Sequence, residues 1–184
     1  LQIDIPMTFI TCNLIMDKDA VIELLDGNTI TIADKTHIYS CTEMWNGIIA
    51  DKSSEQIIIS GNSLIEDAKK AVFIENDALL TMDHAILNNN LYGVYIKNST
   101  AGPSPITVKS SVFSSRFLFS HQNPALNVDV PTLRNNLSSL ISIPLKQPFP
   151  TVEGAFGIYT ESNSYVLIGD CLEKQLYNIF DNLG

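Results

Sequence analysis

Arginine is almost missing from this sequence. Only Arg116 and Arg134 occur among 184 residues, which argues against an arginine-lined anion site. Long apolar runs are missing too. No stretch approaches the ~18 apolar residues of a membrane-spanning helix, so no membrane insertion is expected. Basic residues are outnumbered, 11 against 20 acidic ones, for a formal charge of −9. That sign opposes nucleic-acid phosphates and anionic lipid, so no nucleic-acid partner is expected. Cysteine is scarce: Cys12, Cys41 and Cys171 show no C-x-x-C spacing, which removes the usual zinc pattern. An odd count is no disulfide framework. Buried thiols packing as small hydrophobes are the simplest reading, and a Cys12–Cys41 bridge stays open should the two stack on neighbouring repeats. No convincing amphipathic helix is visible, which removes βαβ units, whose crossovers are helical. The chain opens on the strand-like "LQIDIPMTF", without an initiator Met or signal peptide, and stops at "NIFDNLG". A segment of a longer or processed protein is expected.

What is present is a repeat. A short alternating phrase recurs as "ITI", "III", "LTM" and "ITV", starting at residues 30, 57, 80 and 106, and again as "VLI" at 166. The first three spacings are 27, 23 and 26 residues. A second phrase, a small residue followed by an alternating strand, recurs as "GIIA", "AVFI" and "GVYI" at 47, 71 and 93, and as "GIYT" at 157. Between the phrases lie Asn, Asp, Ser and Gly, the turn formers. Two or three short strands per repeat, with no helix between them, describe a parallel β-solenoid, in which like positions stack in columns.

Strand alternation then assigns faces. Ile32, Ile59, Met82, Val108 and Ile168 form one inward column. Val72 with Ile74, and Val94 with Ile96, form inward pairs of the second strand, with Ile65 and Leu87 as further core contacts. Gly47, Ala71, Gly93 and Gly157 open that strand, where a tight turn needs a small residue.

These phrases, with "CTEMWNGIIA", "GNSLIEDAKKAVFI", "LNNNLYGVYI", "SSVFSS" and "VLIGDCLEKQLYNIFDNLG", resemble the right-handed parallel β-helix family, the pectin-lyase-like superfold. They look closest to the repeat domains of large secreted bacterial surface proteins. The fold class expected is all-β: one right-handed parallel β-helix segment over residues 1–184, six or seven rungs, open at both ends. The resemblance implies an extracellular, elongated bacterial module, secreted or at the cell surface, whose partners are neighbouring rungs or domains of a longer chain, and polysaccharide or another surface protein. Residues 117–153, with five prolines, break the period and read as an irregular excursion or loop.

The candidate chemistry is thin. Polysaccharide-cleaving members of this superfold use clustered Asp residues, a basic Lys or Arg, or a Gly-His pair beside an Asp pair. This sequence has no Asp-Asp, no Gly-His and no Arg in a repeated strand. Glu66 and Asp67 are adjacent and suit acid/base work on a glycosidic bond, yet they occupy the slot of "NNN" one rung later, which reads as a solvated turn. Asp34, Asp83 and Asp170 each follow a first-phrase strand. They read as turn caps, or as an oxygen-lined edge suited to Ca²⁺. His37, His84 and His121 fall in turns or in the excursion, with no marked nucleophile. Trp45, before a strand-opening glycine, reads as a corner plug. The outward Thr31, Thr81 and Thr107 are interrupted by Ile58 and Leu167, so they express β-propensity rather than an ice-binding array.

One outward column is unusual. It reads Ile49, Phe73, Tyr95 and Tyr159, apolar and aromatic where polar residues are the rule. Either the 117–153 excursion or a neighbouring domain covers it, or Phe73, Tyr95 and Tyr159 are ligand-binding, a platform for sugar rings or a protein partner. The function expected is a non-catalytic structural or adhesive module without cofactor, metal site or catalytic residues. The alternative is part of a polysaccharide lyase or glycoside hydrolase whose active residues lie outside this segment.

Overall fold

The chain winds into an all-β parallel solenoid in the computed structural model, which describes residues 1–41, 43–98, 106–115, 156–161, 166–168 and 178–181. The 117–153 segment, Arg116, Arg134, His121, Asp170 and Cys171 lie outside these residues. Among the described residues there is no helix.

Each turn of the coil has three strands. The first turn is β1 (Gln2–Ile3), β2 (Met7–Ile10) and β3 (Asn13–Met16). The second is β4 (Val21–Leu24), β5 (Thr29–Ala33) and β6 (His37–Ser40). The third is β7 (Gly47–Ala50), β8 (Gln56–Ser60) and β9 (Leu64–Glu66), and the fourth β10 (Lys70–Glu75), β11 (Leu79–Asp83) and β12 (Ile86–Asn88). These four turns are followed by further strands in register: β13 (Tyr92–Lys97), β14 (Ile106–Lys109), β15 (Val112–Ser114), β16 (Phe156–Thr160), β17 (Val166–Ile168) and β18 (Ile179–Phe180). Every third strand pairs, so three parallel sheets run along the coil, in the orders β1-β4-β7-β10-β13-β16, β2-β5-β8-β11-β14-β17 and β3-β6-β9-β12-β15-β18.

The core is a set of aliphatic columns. In the second sheet Ile32, Ile59, Met82 and Val108 stack directly on one another, and all are fully buried. In the first sheet Ile22, Ile48, Val72 and Val94 do the same. The third sheet contributes Ile38, Ile65, Leu87 and Phe113. Each side chain buried this fully is worth ~1.5–3 kcal/mol, so the columns carry most of the stability. Ile168 continues the register above Val108 but is half-exposed, because β17 is the last strand of its sheet. The expected inward column therefore stays in register over its whole length but is buried only as far as Val108.

The corners are made by one or two residues in the left-handed region: Asp34 is followed by Lys35 at 65°, and Gly61 by Asn62 at 62°. After the second sheet, Thr11, Asp34, Gly61, His84 and Ser110 succeed strand residues that pair in register, and their φ values are 50, 52, 63, 55 and 47°. Left-handed backbone at this place re-aims the chain by a corner. Asp, Asn, His and Gly tolerate it best, which explains the turn composition. After the third sheet Asp67 and Asn89 take the same role, at 60 and 55°. Gly47 is obligatory for a different reason: at φ 107° a Cβ there would lie 1.6 Å from the Lys70 carbonyl oxygen of the next turn. A Cβ on Gly93 would sit 2.5 Å from the Gly157 carbonyl and 2.8 Å from the Phe113 ring.

Candidate functional site

Two side-chain assemblies stand out from the repeat: one inside a corner, one on an outward face. The buried one runs along the third sheet. His37 Nε2 lies 2.9 Å from Glu66 Oε2, Asn88 Nδ2 donates to Glu66 Oε1 at 2.5 Å, and the Ser114 hydroxyl donates to Asn88 Oδ1 at 2.7 Å. Each of the four comes from a different turn, and each is essentially buried. The His37 ring also stacks on Tyr39, 4.3 Å between centroids. Burial, followed by the charges of Cys41 and Glu66, pushes the Tyr39 phenol above its ordinary range.

The neighbouring residues do likewise. Asn89 Nδ2 donates to Asp67 Oδ1 at 2.6 Å, and Asn90 accepts from the Ala68 amide while donating to the Ile65 carbonyl. Trp45 is fully buried beside Ala68, and its indole N–H donates to the Glu66 carbonyl at 2.7 Å. The corner-plug expectation for Trp45 therefore holds, but the solvated-turn reading of Glu66 and Asp67 is corrected. Both are 1 % exposed: the turns on either side supply His37 and Asn88 to Glu66, and the following turn supplies Asn89 to Asp67. A buried carboxylate spent on His37 and Asn88 is a structural element, out of reach of a sugar.

The remaining polar candidates are dispersed. His37 opens β6 rather than lying in a turn. His84 is a left-handed corner residue whose Nδ1 lies 2.6 Å from Asp83 Oδ1. Asp34 stacks beside Gly61, whereas Asp83 falls one position earlier in the register, beside Ser60. The two do not form one acidic edge, and among the described residues no group of three His, Cys, Asp or Glu side chains converges on a metal position. Cys12 and Cys41 are both free thiols. Cys12 is half-buried in the slot of Thr36, 3.9 Å from its hydroxyl, and Cys41 is exposed, so neither thiol is buried as expected.

The second assembly is the outward face of the first sheet. Ile49, Phe73, Tyr95 and Tyr159 pair in one column, as expected. A second column lies beside it: Lys70, Tyr92 and Phe156. Tyr95 contacts Phe73, Tyr92 and Tyr159 with ring centroids 5.6, 5.0 and 5.0 Å apart, and Tyr92 stacks on Phe156 at 5.1 Å. The Lys70 ammonium lies 4.0 Å from the Tyr95 centroid and 4.7 Å from that of Phe73, within cation–π range. The Tyr95 hydroxyl donates to Glu161 Oε1. That bond, with burial and the Glu161 charge behind it, pushes the Tyr95 phenol up to about 12.

Exposure grades along the face. Tyr95, at its centre, is only 9 % exposed; Phe73, Tyr92 and Tyr159 are half-buried; Phe156 is 43 % exposed. Of the sequence-derived residues, Phe73, Tyr95 and Tyr159 are thus brought together. Lys70, Tyr92, Phe156 and Glu161 join them unannounced. Three of these four had a trace in the sequence: Lys70, Tyr92 and Phe156 each immediately precede the small residue that opens the second phrase.

No family model matches the chain, and neither does any curated protein or solved structure.

Proposed function

We propose that this chain is a non-catalytic structural and adhesive module of a secreted or cell-surface bacterial protein. In this reading the solenoid is a right-handed, pectin-lyase-like β-helix of six or seven rungs. The right hand follows the strong preference of parallel strand–crossover–strand connections. The module meets a polysaccharide or another surface protein through the outward face of the first sheet.

The observation that carries the proposal is the aromatic face itself. Two adjacent columns place Phe73, Tyr95, Tyr159, Tyr92 and Phe156 in mutual contact on an outward surface. The buried centre holds the rings rigid, and Phe156 offers an open ring at one end. Rigid aromatic side chains bind with little loss of conformational freedom, and their faces suit the apolar faces of sugar rings. Against catalysis stands the engagement of Glu66 and Asp67 in buried hydrogen bonds.

A glycan array tests the reading. Binding of a defined glycan that is lost in Phe156→Ala supports it. Cleavage of a bound polysaccharide by the chain would instead favour the lyase or hydrolase alternative.

A further inference from the structure

The same face contains three tyrosines in mutual contact, and binding does not account for how their phenols are arranged. Tyr95 and Tyr159 are stacked one turn above the other in register, with ring centroids 5.0 Å apart and planes 35° apart. Tyr92 meets both edge-on, at 85° to Tyr95 and 62° to Tyr159. At 5.0 Å, two inclined rings bring carbon atoms into van der Waals contact. Glu161 accepts the Tyr95 hydroxyl proton in a hydrogen bond. Lys70 holds a positive charge against the Tyr95 ring.

We propose that Tyr95 and Tyr159 form an oxidative cross-linking site, at which a one-electron oxidant joins the two rings by a carbon–carbon bond and staples two turns of the coil. The Lys70 ammonium opposes any positive charge on the Tyr95 ring, so loss of an electron must be accompanied by loss of the phenolic proton. Glu161 stands in place to take it. One equivalent of oxidant removes an electron from Tyr95 while the proton passes to Glu161 Oε1 and on to solvent. A second equivalent removes an electron from half-buried Tyr159, whose proton goes to solvent. The two neutral phenoxyl radicals combine between ring carbons ortho to oxygen. The hydrogen on each of those carbons then moves to its oxygen and restores the phenols. The balance is one new carbon–carbon bond, two electrons delivered to two equivalents of oxidant, and two protons released.

The geometry favours Tyr159 over Tyr92 as the partner. The inclined pair shares more of its π faces than the edge-on pairs do. It also joins residues far apart in sequence, and such a bridge restricts the unfolded chain as a disulfide does. Cys12 and Cys41 provide no such bridge, since both are free.

The test uses the intact chain with its cysteines alkylated, kept dilute, and oxidised with photogenerated tris-bipyridyl ruthenium(III) and persulfate as terminal acceptor. The expected product is a monomer lighter by two hydrogens, with dityrosine fluorescence and a cross-linked peptide pair containing Tyr95 and Tyr159. Tyr95→Phe and Tyr159→Phe each abolish that pair, Tyr92→Phe keeps it, and Glu161→Gln lowers its yield. An oxidised, folded wild-type monomer without this link overturns the proposal. So does coupling through Tyr92 instead, or cross-linking only between molecules. The wild-type map alone decides the matter should a variant fail to fold.

Discussion

Asn88 sits one turn from Glu66 in register, and its amide nitrogen donates to Glu66 Oε1 at 2.5 Å while its amide oxygen accepts from Ser114. The residue is fully buried. Replacing it by alanine removes both bonds from a buried corner, at a cost of ~2–4 kcal/mol. Asn88→Asp is expected to cost more at neutral pH, because it sets two carboxylates together. Part of that excess should disappear in acid, where one of them is protonated. Urea unfolding of both variants at neutral and acid pH checks the order and its convergence.

Gly47 and Gly27 separate two kinds of glycine. Both have positive φ, 107° and 78°. A Cβ at Gly47 collides with the Lys70 backbone oxygen at 1.6 Å, whereas at Gly27 it meets only the Ser54 side chain, at 3.0 Å. Gly27→Ala should cost about 1 kcal/mol, the left-handed penalty. Gly47→Ala should cost at least about 3 kcal/mol or prevent folding, since backbone must move in two turns. Thermal unfolding of the pair measures the gap.

Tyr95 gives the fold an alkaline limit. Its hydrogen bond to Glu161, then burial, raise the phenol from 10.0 to about 12. A group that holds its proton more tightly when folded stabilises the fold fully below its unfolded value. That contribution is lost as pH rises through the folded value. The window is therefore from about 10 to about 12. An absorbance titration should show a tyrosine ionising near 12, and Tyr95→Phe should remove that phase while the raised Tyr39 phenol remains.

Trp45 is the sole tryptophan and is fully buried. Its emission should be blue-shifted and resistant to aqueous quenchers in the folded chain. Trp45→Phe keeps an aromatic ring but loses the bond to the Glu66 carbonyl and part of the buried indole volume, which should cost ~2–4 kcal/mol. Quencher titration and chemical unfolding check both statements.

The parts of this structure legible in sequence are those with period two. Ile30, Thr31 and Ile32 alternate, and the alternation recurs at a spacing near one turn, so columns such as Ile32–Ile59–Met82–Val108 can be written down directly. The third sheet is not legible that way. Its strands "LIE", "ILN" and "VFS" are three residues long and buried on both faces, so nothing alternates. Composition likewise assigns Glu66 and Asp67 to solvent, because charge at a turn is usually solvated. What reverses that is contact of Glu66 with His37 and Asn88, 29 and 22 residues away, and of Asp67 with Asn89, 22 residues away, which only stacking brings near. Asn88, Asn89 and Asn90 are more legible. Asn89 takes the left-handed corner conformation, and all three side chains bond to the preceding turn. The aromatic column was readable at Phe73, Tyr95 and Tyr159, whereas its Lys70 and Glu161 contacts depend on side-chain reach that a repeat phrase does not encode.

Phe156 is the open ring of the aromatic face. The decisive measurement is the affinity of the intact chain and of Phe156→Ala for a glycan selected on an array, with the fold of the variant checked by Trp45 emission. Burial of one aromatic face against a sugar is worth ~1–2 kcal/mol, so the variant should bind about five- to thirtyfold more weakly at unchanged stability. Equal affinity of the two proteins would contradict the assignment of this face as the binding surface.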